Sequence, residues 1–170
     1  MKKNIGIIIG VLVVIVGITA YMNMRNSKSL IALQENAQFS IKENGNEKVT
    51  LTLDQIREFG ETDFKGNYKT KGKDAVEYTY TGVPFKNVLK EAGISLDDKI
   101  SVVVSSVDGY AVPYDIEKIK EDDNIYLAYM KEKEALKGKD DGGCGPFLVV
   151  VSKDQFSQNW AKFAVEADVK

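Results

Sequence analysis

GPFLVVVS, Gly145 to Ser152, holds an unbroken apolar run from Phe147 to Val151. A strand with one face in water alternates apolar and polar residues, whereas a short Val-rich run without alternation is a strand covered on both faces. The rest of the chain must therefore supply a layer on each side of it. Immediately ahead stands Cys144, the only cysteine, between Gly143 and Gly145. A lone thiol at the mouth of a buried strand is a substitute metal ligand, a redox or partner-linking handle, or a small residue in a tight turn. Lys137 and Lys139 would lower its pKa and Asp140 and Asp141 would raise it.

Outward from this strand, the segments alternate between strand and helix signals. QFSIK (Gln38 to Lys42) and KVTL (Lys48 to Leu51) flank Asn44-Gly45, a hairpin signal. Thr52 and Gln55 have capping-box spacing, which predicts a short helix to Phe59 with Gly60 just past its end. Glu61 to Thr81 alternates aromatic and polar residues around a polar turn, KTKGKD. Gly82-Val83-Pro84 is expected to break the sheet, and Pro84 to open a helix with Phe85, Val88, Leu89 and Ala92 on one face and Gly93 at its end. Ile100 to Ser105 reads as a strand, Asp108-Gly109 as a turn, the segment around Ile116 and Ile119 as a short polar helix, Ile125 to Met130 as a strand and Phe163 to Val169 as the closing strand. The expectation is a strand-rich, mixed α+β domain with short helices at its edges.

The 170 residues include 23 basic and 25 acidic side chains, net charge −2, and no histidine. That balance gives no basic field for nucleic acid. Without histidine, His-based triads and nearly all catalytic zinc designs are excluded. One cysteine closes no intramolecular disulfide. Glu121-Asp122-Asp123 and Asp97-Asp98 lack calcium-loop spacing, and no metal site is expected. Lys65, Lys69, Lys71 and Lys73 form a basic cluster that reads as a solvated hairpin edge guarded by lysines, with anion binding the alternative.

At the N-terminus, Ile5 to Met22 carries no charge, between Lys2-Lys3 and Arg25 and Lys28. A helix crosses a bilayer in ~18–20 apolar residues. The expected organisation is a cytoplasmic 1–4, a transmembrane signal anchor over 5–24, a linker over 25–37 and an extracytoplasmic domain over 38–170. A cleaved signal peptide is the alternative, against which Ile18-Thr19-Ala20 is a poor cleavage site.

TYTGVPFKNVLKEAGI (Thr79 to Ile94), VVVSSVDGY (Val102 to Tyr110), IYLAYM (Ile125 to Met130), GPFLVVVS and NWAKF (Asn159 to Phe163) resemble, in order and spacing, the molybdopterin-binding domain of the sulfite oxidase family. The resemblance runs from about Gln38 to Val169 and implies the family's mixed α+β fold. It implies cofactor-facing roles for Asp108, Tyr110 and Lys162. Two departures accompany it. The family's molybdenum-ligand cysteine is missing from Phe64 to Ala75, and Leu148 stands where the family places a cofactor-binding arginine.

Such enzymes acquire their cofactor in the cytoplasm and are exported folded, and MKKNIGIIIG lacks a twin-arginine signal. The expected function is therefore a membrane-anchored binding or accessory module at the cell surface. No cofactor is expected, and the partner would be a small ligand or a surface protein, the latter joined through Cys144 in one version. The alternative is a divergent molybdopterin-dependent oxidoreductase acting on a small oxo-species, with Cys144 recruited as ligand.

Overall fold

The computed structural model describes residues 2–69, 72 and 74–170, and the side chains at 2–8, 23, 25–27 and 29 lie outside the description. Lys71 and Lys73 of the basic cluster, and the flanking charges Lys2, Lys3 and Arg25, fall outside the described residues or side chains. The chain divides into two compact units, 1–32 and 33–170.

One helix, α1 (Lys2–Glu35), accounts for the first unit. It continues through most of the expected linker, where Leu30, Ile31, Ala32 and Leu33 leave no breaker to stop it. Its described apolar side chains are exposed, from Ile9 at 56 % to Met22 at 58 %. The expected transmembrane helix is not found: among the described residues no helix is long and apolar enough to cross a membrane.

The second unit is built on two sheets. β1 (Gln38–Glu43) and β2 (Asn46–Thr52) form the predicted hairpin, with Asn44 and Gly45 both at positive φ in its turn. Thr52 caps α2 (Leu53–Arg57) with the reciprocal bonds of a capping box: the Gln55 N–H donates to Thr52 Oγ1 and the Thr52 N–H to Gln55 Oε1. β3 (Thr62–Tyr68) pairs with β4 (Val76–Pro84), and Pro84 leads into α3 (Phe85–Glu91). β5 (Ser101–Ser106) pairs with β6 (Ala111–Asp115), whose Asp115 caps α4 (Ile116–Lys120). β7 (Ile125–Lys131), the two-residue β8 (Glu134–Ala135), β9 (Leu148–Val151), β10 (Ala161–Lys162) and β11 (Ala164–Val169) complete the fold.

The first sheet runs β2-β1-β11-β5-β6 and the second β10-β9-β7-β4-β3, with β8 on β7. β1 and β11 are parallel; the other pairs are antiparallel. Every residue of β9 is buried, as its unbroken apolar run requires. One core spans both sheets: Phe39 of β1 meets Phe85 of α3 at 6.1 Å and Phe147, at the entry to β9, at 5.7 Å between ring centroids.

Gly82-Val83-Pro84 does not break the sheet. β4 continues through it, paired with β7, and the register shifts between Thr81 and Gly82. The glycine permits this, because a Cβ at Gly82 would lie 2.4 Å from the Leu127 carbonyl oxygen and 2.7 Å from Ala128 Cα.

Gly82→Ala is expected to destabilise the domain by about 1–3 kcal/mol, the usual cost of overpacking, read as a lower urea midpoint; an unchanged midpoint would contradict this packing. A second expectation concerns acid. Lys48 at 2.8 Å and Lys99 at 2.5 Å hold the Glu43 carboxyl down at about 2. A carboxyl lowered on folding stabilises the fold above its unfolded pKa of about 4.3, and that contribution is lost as pH falls toward its folded value. Glu43→Gln should therefore reduce the loss of stability between about pH 4.3 and about pH 2 and lower stability at neutral pH, measured by urea unfolding across that range.

Candidate functional site

The antiparallel ladder β4–β7–β9 brings three distant segments to one end of the second sheet: the end of β3, the end of β7 with β8, and the Gly-rich approach to β9. Gly143 and Gly145 are required there by close approach of backbone to backbone. A Cβ at Gly143 would fall 2.0 Å from the Lys137 carbonyl oxygen, and one at Gly145 would fall 2.6 Å from that of Leu136. The Gly145 N–H donates to the Lys137 carbonyl at 2.8 Å, and the Phe163 N–H to the Cys144 carbonyl at 2.9 Å. Cys144 is thereby fixed between residues 136–137 on one side and β10 on the other.

A cavity of about 280 Å³ opens beside it, lined by Tyr68, Tyr80, Lys131, Glu134, Lys137 and Cys144 among others. A second cavity of about 260 Å³ is lined by Ser106, Asp108, Tyr110, Trp160, Lys162 and neighbouring residues. Lys162 donates to the Tyr68 hydroxyl at 2.9 Å, linking the linings of the two. Lys131 Nζ sits 3.3 Å from the centre of the Tyr78 ring and 5.4 Å from that of Tyr68. Cation–π contacts of this kind contribute about 0.5–2 kcal/mol.

Asp108, Tyr110 and Lys162, the three residues singled out as cofactor-facing, share the second cavity. Asp108 accepts from the Tyr110 N–H at 3.3 Å and stands 3.7 Å from Lys139, and Tyr110 is 61 % exposed. Cys144 lines the first cavity instead. Burial pushes its thiol above the ordinary range, and the nearby Lys162 and Lys131 only partly oppose this. Tyr68 and Lys131 carried no motif in the sequence, and Lys137 was singled out there only as a charge near Cys144.

Other expectations resolve into structure. Tyr80 and Trp160 meet edge to face at 5.5 Å, and Phe64 and Tyr126 stack at 3.9 Å, so these aromatics form a packed ladder. Tyr114 donates to the Asn159 carbonyl at 2.8 Å and Tyr129 to Glu61 at 2.5 Å. Of the basic cluster, Lys65 pairs with Glu77 at 3.3 Å and Lys69 lies over Phe156. Glu121 pairs with Lys153 at 2.6 Å and Asp122 with Lys86. Among the described residues no group of three or more Cys, Asp or Glu side chains is placed to hold a metal.

The chain belongs to the oxidoreductase molybdopterin binding domain family, whose model matches residues 28–164. Its fold is that of the sulfite-oxidase-like domains. The sulfane dehydrogenase SoxCD from Paracoccus pantotrophus matches with a TM-score of 0.60 at 18 % identity over 80 % of this chain. The chain spans 38 % of that protein's length. No curated protein matches it.

Membership makes molybdopterin the group to test against these residues, and they do not fit it. The stretch Phe64 to Ala75 supplies no thiol. At Gly66, its one position in β3 without a side chain, a Cβ would lie 3.1 Å from Trp160 Cη2 and 3.2 Å from Val150 Cγ1, so a side chain there would press on both. Leu148 is fully buried in the apolar core, with no cation in its place. Burial raises the pKa of the one thiol near the cavities, which disfavours the thiolate form in the free domain. The arrangement instead offers ammonium groups and tyrosine hydroxyls to a ligand held without covalent bonds.

The alkylation rate of Cys144 by iodoacetamide should rise with a midpoint above the ordinary thiol value of about 8.5, and Lys162→Met should raise it further. A midpoint below that value would contradict the burial described here.

Proposed function

We propose that this chain is a molybdopterin-binding-fold domain used as a binding or accessory module, without molybdenum chemistry. The observation that carries the reading is the stretch Phe64 to Ala75, which holds no thiol; within it, a Cβ at Gly66 of β3 would press on Trp160 and Val150. The buried Leu148 supports it, because a cofactor phosphate needs fixed cationic donors. Function follows from the site and not from the fold.

We also propose that residues 5–24 hold the domain at the outer face of a membrane. The charge-free run Ile5 to Met22 and the exposed apolar side chains of α1 from Ile9 onward support this. The partner would then be a small ligand or a surface protein met outside the cytoplasm.

One observation favours a second reading, a divergent molybdopterin-dependent oxidoreductase for a small oxo-species. Cys144 lines a cavity whose Tyr68 is bonded to Lys162, so a relocated thiol ligand would stand near a residue the family uses at its pterin.

Metal and pterin analysis of the chain purified from its native host, beside a Cys144→Ser variant, separates the two. Neither molybdenum nor pterin is expected in either protein. Stoichiometric molybdenum with pterin in the wild type, lost in the variant, would overturn the first reading in favour of the second.

A further inference from the structure

Most lysines of the domain stand within ion-pair distance of a carboxylate: Lys42 with Glu166, Lys86 with Asp122, Lys99 with Glu43 and Lys153 with Glu121 are examples. Among the described residues, Lys131, Lys137 and Lys162 have no such partner, and they gather at one place. Lys131 and Lys137 line the Cys144 cavity, and Lys162 is bonded to its Tyr68. Among the described lysines of the domain, Lys69 and Lys90 are the others without a carboxylate in ion-pair distance. The single carboxylate lining the cavity is that of Glu134. It lies opposite Lys131 in the β7–β8 ladder yet makes no ion pair with it. A chain of net charge −2 thus keeps a local excess of positive charge around one concave site.

Aromatic faces replace acids as the partners of two of these ammonium groups. Lys131 lies over Tyr78 and Tyr68, and Lys162 lies 5.0 Å from the centre of the Tyr68 ring. A ring face steadies a cation without neutralising it, so the charge stays available to an anion. The rest of the lining, Tyr80, Ala135, Leu136 and Cys144, is largely apolar and suits a carbon body more than a bare hydrated ion. Lysines act as point charges and impose no fork geometry on the group they hold.

We propose that the cavity bounded by Tyr68, Lys131, Lys137 and Cys144 binds a small organic acid, its anionic head held by the lysines and its short apolar body against Tyr80 and Leu136. The assignment rests on the reading of this domain as a cofactor-free binding module and names the class of ligand.

Trp160 is the only tryptophan and packs on both Tyr68 and Tyr80 at 6.0 and 5.5 Å, so its fluorescence reports on the cavity. The full chain is titrated with hexanoate, butyrate and sulfate, alongside Lys131→Met, Lys137→Met and, as a distant control, Lys90→Met, each checked for native circular dichroism. A saturable response is expected, tighter for hexanoate than for butyrate and weakest for sulfate. Each cavity variant should weaken it at least tenfold and the control should leave it unchanged. Hexanoate should also slow Cys144 alkylation, because a bound anion offsets the lysines. No saturable response to any of the three anions, or equal binding in Lys131→Met and Lys137→Met, would overturn the assignment. Tightest binding of sulfate would replace the organic acid with an inorganic oxoanion and so overturn it too. Metal and pterin analysis of the same preparation tests the underlying reading separately: cofactor present would sink that reading, whereas cofactor absent with no anion response would sink this assignment alone.

Discussion

The first sheet holds together because its last strand in sequence lies in its middle. β11 pairs with β1 on one side and β5 on the other, so the β1–β2 hairpin and the β5–β6 hairpin share no ladder without it. The parallel register, Ser40 to Glu166 through Glu43 to Val169, ties the two ends of the domain. Parallel pairing between chain ends is reached only after closing a long loop, which makes such topologies slow to form. The same placement builds the site. Trp160, Lys162 and Phe163 precede β11 directly, and the Ala164 N–H donates to the Phe147 carbonyl at 3.0 Å, setting that segment beside the Gly-rich approach to β9.

Local chemistry made much of the fold legible from sequence. The β1–β2 turn was readable because Asn44 and Gly45 tolerate positive φ, and α2 because Thr52 and Gln55 satisfy each other's backbone. The continuous apolar character of Phe147 to Val151 marked a strand buried on both faces. β6 was missed because Pro113 sits mid-run and reads as a breaker. At an edge strand its missing N–H costs no ladder bond, and Pro113 faces Val103 in register. The continuation of β4 through Gly82 and Pro84 was missed for a related reason: the glycine there serves close approach to β7 and not a turn.

The site was less legible. Asp108, Tyr110 and Lys162 line one cavity. Tyr68 and Lys162 are 94 residues apart and meet only through sheet register, and nothing in the identity of a strand-end lysine marks it as unpaired. The pairing of lysines with carboxylates is a property of the folded surface, so an excess at one place is visible only there.

The GGCG turn has a chemical consequence. Disulfide exchange and oxidation proceed through the thiolate, and Cys144, the chain's sole thiol, is half-buried between glycines with its proton held on. Exchange at Cys144 is therefore slower than at an exposed cysteine, and slower still as pH falls. What looks like the most reactive atom in the sequence is, by its setting, among the quietest.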